Sequence, residues 1–129
     1  MNEVANLIQG CSEKSLAVID ELGRGTSTDF GIGIAKAVAL ELVKNVRCFT
    51  LFATHFHELP DLAEETDGVS NVFVKFEKRI DRVEMLYKLE EGRAMQSCGI
   101  NVLTMLGFPN KIIDHARGVL AQFEGGMSQ

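Results

Sequence analysis

Two carboxylates, Asp20 and Glu21, stand side by side directly after the apolar run Leu16, Ala17, Val18 and Ile19. A short apolar run without alternation suits a strand buried on both faces of a parallel sheet. In open α/β sheets, ligands sit in the crevice outside the carboxyl ends of the strands. The acid pair falls at that edge. Gly23 and Gly25 then allow a tight turn with exposed backbone N–H groups, and Arg24, Thr26, Ser27 and Thr28 add one cation and three hydroxyls. Residues 15–28 therefore have the chemistry of a magnesium-nucleotide edge. Asp20 suits the metal, because a hard cation wants oxygen and keeps several waters. Glu21 suits a general base or a group that positions a water for attack on a phosphoanhydride. The plainer alternative is a strand that ends in surface acids.

The same strand edge gains a third group. Residues 29–44 carry a helical pattern, with Asp29 as N-cap and Ala35, Val38, Ala39 and Leu42 on the apolar face. A second apolar run over 48–54 is bounded by His55. Strand, helix and strand at this spacing predict a right-handed βαβ crossover with parallel strands. His55 then arrives beside Asp20 and Glu21. A rival is a metal site of His55, His57 and Glu58, since residues i and i+2 of a strand share a face. Zinc sites usually need three or four ligands, and no His-Glu-x-x-His occurs in the sequence.

Asp20-Glu21-Leu-Gly-Arg-Gly-Thr-Ser-Thr, followed by Phe52-Ala-Thr-His-Phe-His-Glu-Leu59, resembles the ATPase domain of the MutS mismatch-repair proteins, most of all the eukaryotic homologue-two branch. The likeness extends over about 1–124. It implies an α/β fold that is part of an ABC-type P-loop NTPase, with a mostly parallel sheet, a βαβ unit, an antiparallel hairpin and a C-terminal helical hairpin. It implies ATP and magnesium as cofactors, Asp20 at the metal, Glu21 and His55 as catalytic residues, and His55 as the switch histidine that contacts the γ-phosphate. Gly23, Arg24, Gly25, Thr26, Ser27 and Thr28 resemble the D-loop, which runs along a dimer interface. The implied partners are a MutS-like subunit and mismatched DNA, the latter through domains upstream. The implied compartment is the nucleus.

The sequence departs from the family at two places. The family text after Gly-Thr-Ser-Thr is Tyr-Asp-Gly, whereas Asp29, Phe30 and Gly31 stand here, with acid and aromatic exchanged. Ser97 to Leu103 departs from Ser-x-Gly-Ile-x-Val-Ala at Leu103, where ordinary repacking is the simpler reading. No Gly-x-x-x-x-Gly-Lys-Ser/Thr occurs in the 129 residues, so the sequence has no P-loop to cradle the α- and β-phosphates. A non-catalytic dimerisation module, or another ABC-type ATPase of chromosome maintenance, are the competing readings.

Elements that must position these groups follow. Val4, Leu7, Ile8 and Cys11 recur at helical spacing. A short acidic helix and a loop are expected over 58–68. Alternation over 72–77 and 83–89 predicts an antiparallel hairpin connected through Lys78, Arg79, Ile80 and Asp81. Helices are expected over 97–106, ended by Gly107, and from Pro109 onward, with Ile112, Ala116, Val119, Leu120 and Phe123 as an apolar stripe. The organisation is 1–92 as ATPase part, 93–124 as helix-turn-helix and 125–129 as a frayed tail. Three cysteines, Cys11, Cys48 and Cys98, are odd in number and far apart, which favours free thiols in a reducing compartment. A net charge of −5 makes the chain a poor DNA binder by itself. No apolar run approaches the roughly 18 residues of a membrane helix.

Overall fold

The computed structural model describes residues 2–78, 83–94 and 99–126. It contains two compact units, Met1–Ser70 and Asn71–Gln129.

The first unit is a βαβ crossover with helices on one side. Strand β1 (Leu16–Asp20) pairs in parallel with β2 (Phe49–Ala53), in a register from Leu16↔Phe49 to Asp20↔Ala53. Helix α2 (Thr28–Glu41) makes the crossover and continues into one π-helical turn, Leu42–Val46. Arg47 closes that turn in a left-handed conformation, φ 58°, and its N–H donates to the Leu42 carbonyl at 2.8 Å. Ala17, Ile19, Leu22, Val38 and Leu42 form the core. Helix α1 (Asn2–Gly10) packs on it through Val4, Leu7 and Ile8, with Cys11 just beyond. Leu42 is fully buried, which stabilises by about 1.5–3 kcal/mol.

Two expectations are corrected here. The strand β1 is covered on one face only. Ala17 and Ile19 are buried, while Leu16 and Val18 are 62% and 63% exposed and lie across from exposed Phe49 and Leu51. Within this unit the described helices pack on a single side of the pair, so the apolar run has an open face. The N-cap of α2 is Ser27, extended at φ −63° and ψ 149°, not Asp29. Asp29 lies in the first turn, where an acid is favoured by the positive helix end. After β2, a 3-10 turn (Leu59–Asp61) leads into α3 (Leu62–Glu65), as the acidic stretch suggested.

In the second unit, β3 (Val72–Lys78) and β4 (Val83–Glu91) are antiparallel. The register runs Lys75↔Lys88 and then Phe76↔Met85, so Leu86 and Tyr87 bulge out of β4, with Tyr87 at φ 52°. The like charges of Lys75 and Lys88 face each other, and Lys75 pairs instead with Glu90. Helix α4 (Gly99–Met105) ends in two bonds, Phe108 N–H to the Leu103 carbonyl and Gly107 N–H to the Thr104 carbonyl, both 3.1 Å. That Schellman motif needs its C′ residue left-handed, and Gly107 has φ 73°.

Helix α5 (Asn110–Gly126) starts with the Pro109 carbonyl accepting from Ile112 N–H at 2.9 Å. Its buried residue is Ile113, whereas Ile112, Val119, Leu120 and Phe123 of the expected stripe are exposed. A two-helix hairpin cannot cover both of its apolar faces by itself, so this side of the stripe stays open. The tail is expected from Gly125, but Gly125 and Gly126 belong to α5. The expected connection through Arg79, Ile80 and Asp81, the segment with Ser97 and Cys98, and residues 127–129 lie outside the described residues.

Candidate functional site

The parallel ladder brings the acid pair and the histidine together. Asp20 pairs with Ala53, and Glu21 extends the ladder by one bond, its N–H donating to the Ala53 carbonyl at 3.0 Å. Glu21 then takes φ 52°, a left-handed conformation that costs a non-glycine residue about 1–2 kcal/mol. Strain of this kind, held by surrounding structure, tends to gather at functional positions. Two residues past Ala53, His55 meets Glu21 through an Nδ1 to Oε2 hydrogen bond. A carboxylate only accepts, so His55 donates from Nδ1. Arg24 Nε donates to the same Oε2 at 3.2 Å. The Arg24 side chain is 67% exposed, so this ion pair adds little stability.

The hydrogen bond from His55 is the largest influence on the Glu21 carboxyl and lowers its pKa below the ordinary glutamate value. Partial burial opposes the lowering, and the Arg24 charge adds to it. A depressed carboxyl contributes stability above its ordinary pKa and loses it as pH falls through the lowered value. The Glu21 carboxylate thus remains an acceptor further into acid than a free glutamate does.

Residues 23–28 form the turn after this cluster and deliver the chain into α2. Gly23, at φ 98°, lies so close to Gly31 that a Cβ on it would stand 2.6 Å from the Gly31 carbonyl oxygen. Gly31 N–H donates to the Ser27 carbonyl at 2.9 Å. Arg24, Gly25, Thr26, Ser27 and Thr28 are exposed, as is Asp20. Of the candidate residues, the structure joins Glu21, His55 and Arg24 by side-chain bonds and sets Asp20 next to them on the strand. Gly23 packs on Gly31, and Gly25, Thr26, Ser27 and Thr28 are exposed. At the first departure, Asp29 and Phe30 line a shallow apolar groove with Gly33, Ile34 and Ala37, and Phe30 is 71% exposed. The exchange of acid and aromatic therefore changes a surface and leaves the glycine contact in place.

His57 and Glu58 are exposed, and no group of three metal-ligating side chains exists among the described residues. Asp20 and Glu21 are oxygen donors at a strand edge, a donor set that fits magnesium better than zinc. The sequence reading missed Phe56, whose ring lies 4.5 Å from that of His55. Only its apolar character next to the histidine was available as a signal.

Comparison with known proteins gives the context. The MutS domain V family matches residues 1–124. The chain belongs to that family. A DNA mismatch repair protein MutS of Anaeromyxobacter sp. (strain Fw109-5) is 46% identical over 124 residues, covering 96% of this chain and 14% of the relative. DNA mismatch repair protein spellchecker 1 of Drosophila melanogaster is 43% identical over the same length, with the same coverage of each. A MutS protein of Fervidobacterium nodosum is 43% identical over 120 residues, 93% of this chain and 15% of that protein. The chain thus spans about one seventh of the length of these MutS relatives. The mixed α/β architecture, with its parallel pair and antiparallel hairpin, agrees with the fold that the motifs implied. No described helix is long and apolar enough to cross a membrane.

Proposed function

We propose that the chain acts in DNA mismatch repair as the C-terminal part of a MutS-like ATPase, supplying the hydrolytic half of a magnesium-ATP site. The observation that carries this reading is the convergence of Glu21 and His55 from adjacent parallel strands, with Asp20 beside them. In this reading Asp20 would hold magnesium through water, and the ion would supply positive charge against the phosphates. Glu21 orients the attacking water. His55 and Arg24 both bind Oε2, which leaves Oε1 to face that water. His55 would donate to the γ-phosphate, and the loop 23–28 would face a second subunit. Mismatched DNA would be held by domains outside these 129 residues.

The test is phosphate release with magnesium and ATP. The chain alone should give background rates, because its sequence has no P-loop lysine. Joined to a MutS upstream segment that carries a P-loop, it should hydrolyse ATP. A fusion that folds and binds nucleotide yet stays at background would sink the catalytic reading.

A second reading, an interaction module, is favoured by one observation. Met105, Leu106, Ile112, Leu120 and Phe123 of α4, α5 and their connection are 47–69% exposed. A contiguous apolar surface marks an interface or an aggregation liability. The chain should self-associate, or bind a MutS-like subunit, through α4 and α5. Light-scattering mass should fall when Leu120 and Phe123 are made polar, with circular dichroism unchanged. A wild-type chain that is monomeric at tens of micromolar and binds no MutS-like subunit would end this reading.

A further inference from the structure

His55 and Glu21 lie at the surface, with side chains 51% and 29% exposed, so burial does not hold them in register. Phe56 packs against the histidine of this pair. It is buried with Ala35 and Leu59, with Ile32 and Phe52 packed around them. Its N–H donates to Thr54 Oγ1 at 3.0 Å, which fixes the backbone just after β2. One side of its ring meets the His55 imidazole, centroids 4.5 Å apart and planes tilted by 36°. The ring also reaches the start of α2, where its Cζ is 2.9 Å from the point a Cβ on Gly31 would occupy. Gly31 in turn is in backbone contact with Gly23 at the head of the loop 23–28. Loop, helix start, aromatic ring and histidine are therefore in series without a gap.

We infer that Phe56 is a positioning residue that holds the His55 imidazole against Glu21 and passes displacements of the loop 23–28 to that pair through Gly31. The physical basis is close packing. A dense apolar interior transmits strain instead of absorbing it. Glycine at 23 and 31 removes the side chains that would separate the two backbones. A displacement of the loop toward the helix would press the α2 start onto the ring, and the ring onto His55. What His55 does once moved rests on the ATPase reading above, whereas the coupling does not.

The experiment uses the 129-residue chain without nucleotide, at one pH, by NMR. In the wild type, the Phe56 ring protons should show nuclear Overhauser contacts to both the His55 ring and the Gly31 Hα. The His55 Nδ1 proton should appear at low field, bonded to Glu21. Phe56→Leu keeps an apolar filler but removes the ring, and the low-field proton should be lost while the Ala17 and Ile19 amides keep their shifts. Gly31→Ala adds a methyl against the ring Cζ and deletes nothing. It should move the His55 ring resonances although residue 31 does not touch them. Leu59→Ala trims the same cluster on another residue and should leave the low-field proton in place.

Absence of either wild-type contact would overturn the proposal whether or not any variant folds. So would an unchanged His55 signal in a folded Phe56→Leu, or an equal loss in Leu59→Ala, which would reduce the ring to ordinary filling. Because no nucleotide is present, failure here is separate from failure of the hydrolysis assay.

Discussion

Glu21→Gln in a chain joined to a MutS upstream segment that carries a P-loop should lower kcat for ATP hydrolysis by about 10²–10⁴-fold and leave nucleotide affinity almost unchanged. Glutamine keeps the shape of the side chain, and its carbonyl oxygen can still accept from His55 Nδ1 and Arg24 Nε. It loses the charge and basicity that would orient a water in the proposed mechanism. The substitution thus separates chemistry from architecture. Asp20→Asn should differ by weakening magnesium-dependent binding as well, since its oxygen faces the metal in this reading. His55→Ala should slow hydrolysis with little change in affinity. Single-turnover rates with parallel binding measurements distinguish these patterns. Equal losses of affinity in all three variants would mean a damaged fold, and the separate roles would fall.

Gly23→Ala should destabilise the chain by about 2–5 kcal/mol, summing a left-handed penalty of about 1–2 and an overpacking cost of about 1–3. Its new Cβ would stand 2.6 Å from the Gly31 oxygen and 2.9 Å from the Gly31 carbonyl carbon and Cα, all backbone atoms that cannot swing aside. Gly31→Ala should cost less. Its Cβ would meet the Gly23 oxygen at 2.6 Å, but alanine in a helix gains about 1 kcal/mol over glycine. Gly33 is an internal control, because it lies in the same helix with nothing within 4 Å of its Cβ position. Gly33→Ala should be neutral or stabilising. Urea unfolding at low protein concentration ranks the three. A Gly23→Ala chain that unfolds with the wild type would show that the loop yields.

The parts of the fold governed by local periodicity were legible in the sequence. The runs at 16–19 and 48–54 paired in parallel as expected, because a strand, a helix of adequate length and a strand leave few other solutions. Alternation over 72–77 and 83–89 gave the antiparallel pair, but the bulge at Leu86 and Tyr87 left no mark in that pattern. The meeting of Glu21 with His55 followed from strand ends sharing one edge. Features set by what covers a surface were not legible. An apolar run does not state how many of its faces are covered, so Leu16 and Val18 read as buried. The choice of Ser27 over Asp29 as N-cap depends on where the loop releases the chain. The tight contact of Gly23 and Gly31 joins residues eight apart through space, and neither glycine announces its neighbour.

The π-turn over Leu42–Val46 has a consequence for how this unit tolerates change in length. A π-turn accommodates a residue more than an α-helical turn does in the same span. Arg47, left-handed and bonded back to Leu42, resets the chain direction before β2 begins. Loss of one residue between Glu41 and Arg47 could be taken up by conversion to an α-turn. The Asp20↔Ala53 register, and with it the facing of Glu21 and His55, would survive. Helix α2 is thus joined to the second strand by an expansion joint that already holds one spare residue, and a single-residue deletion has a place to be absorbed without reaching the site.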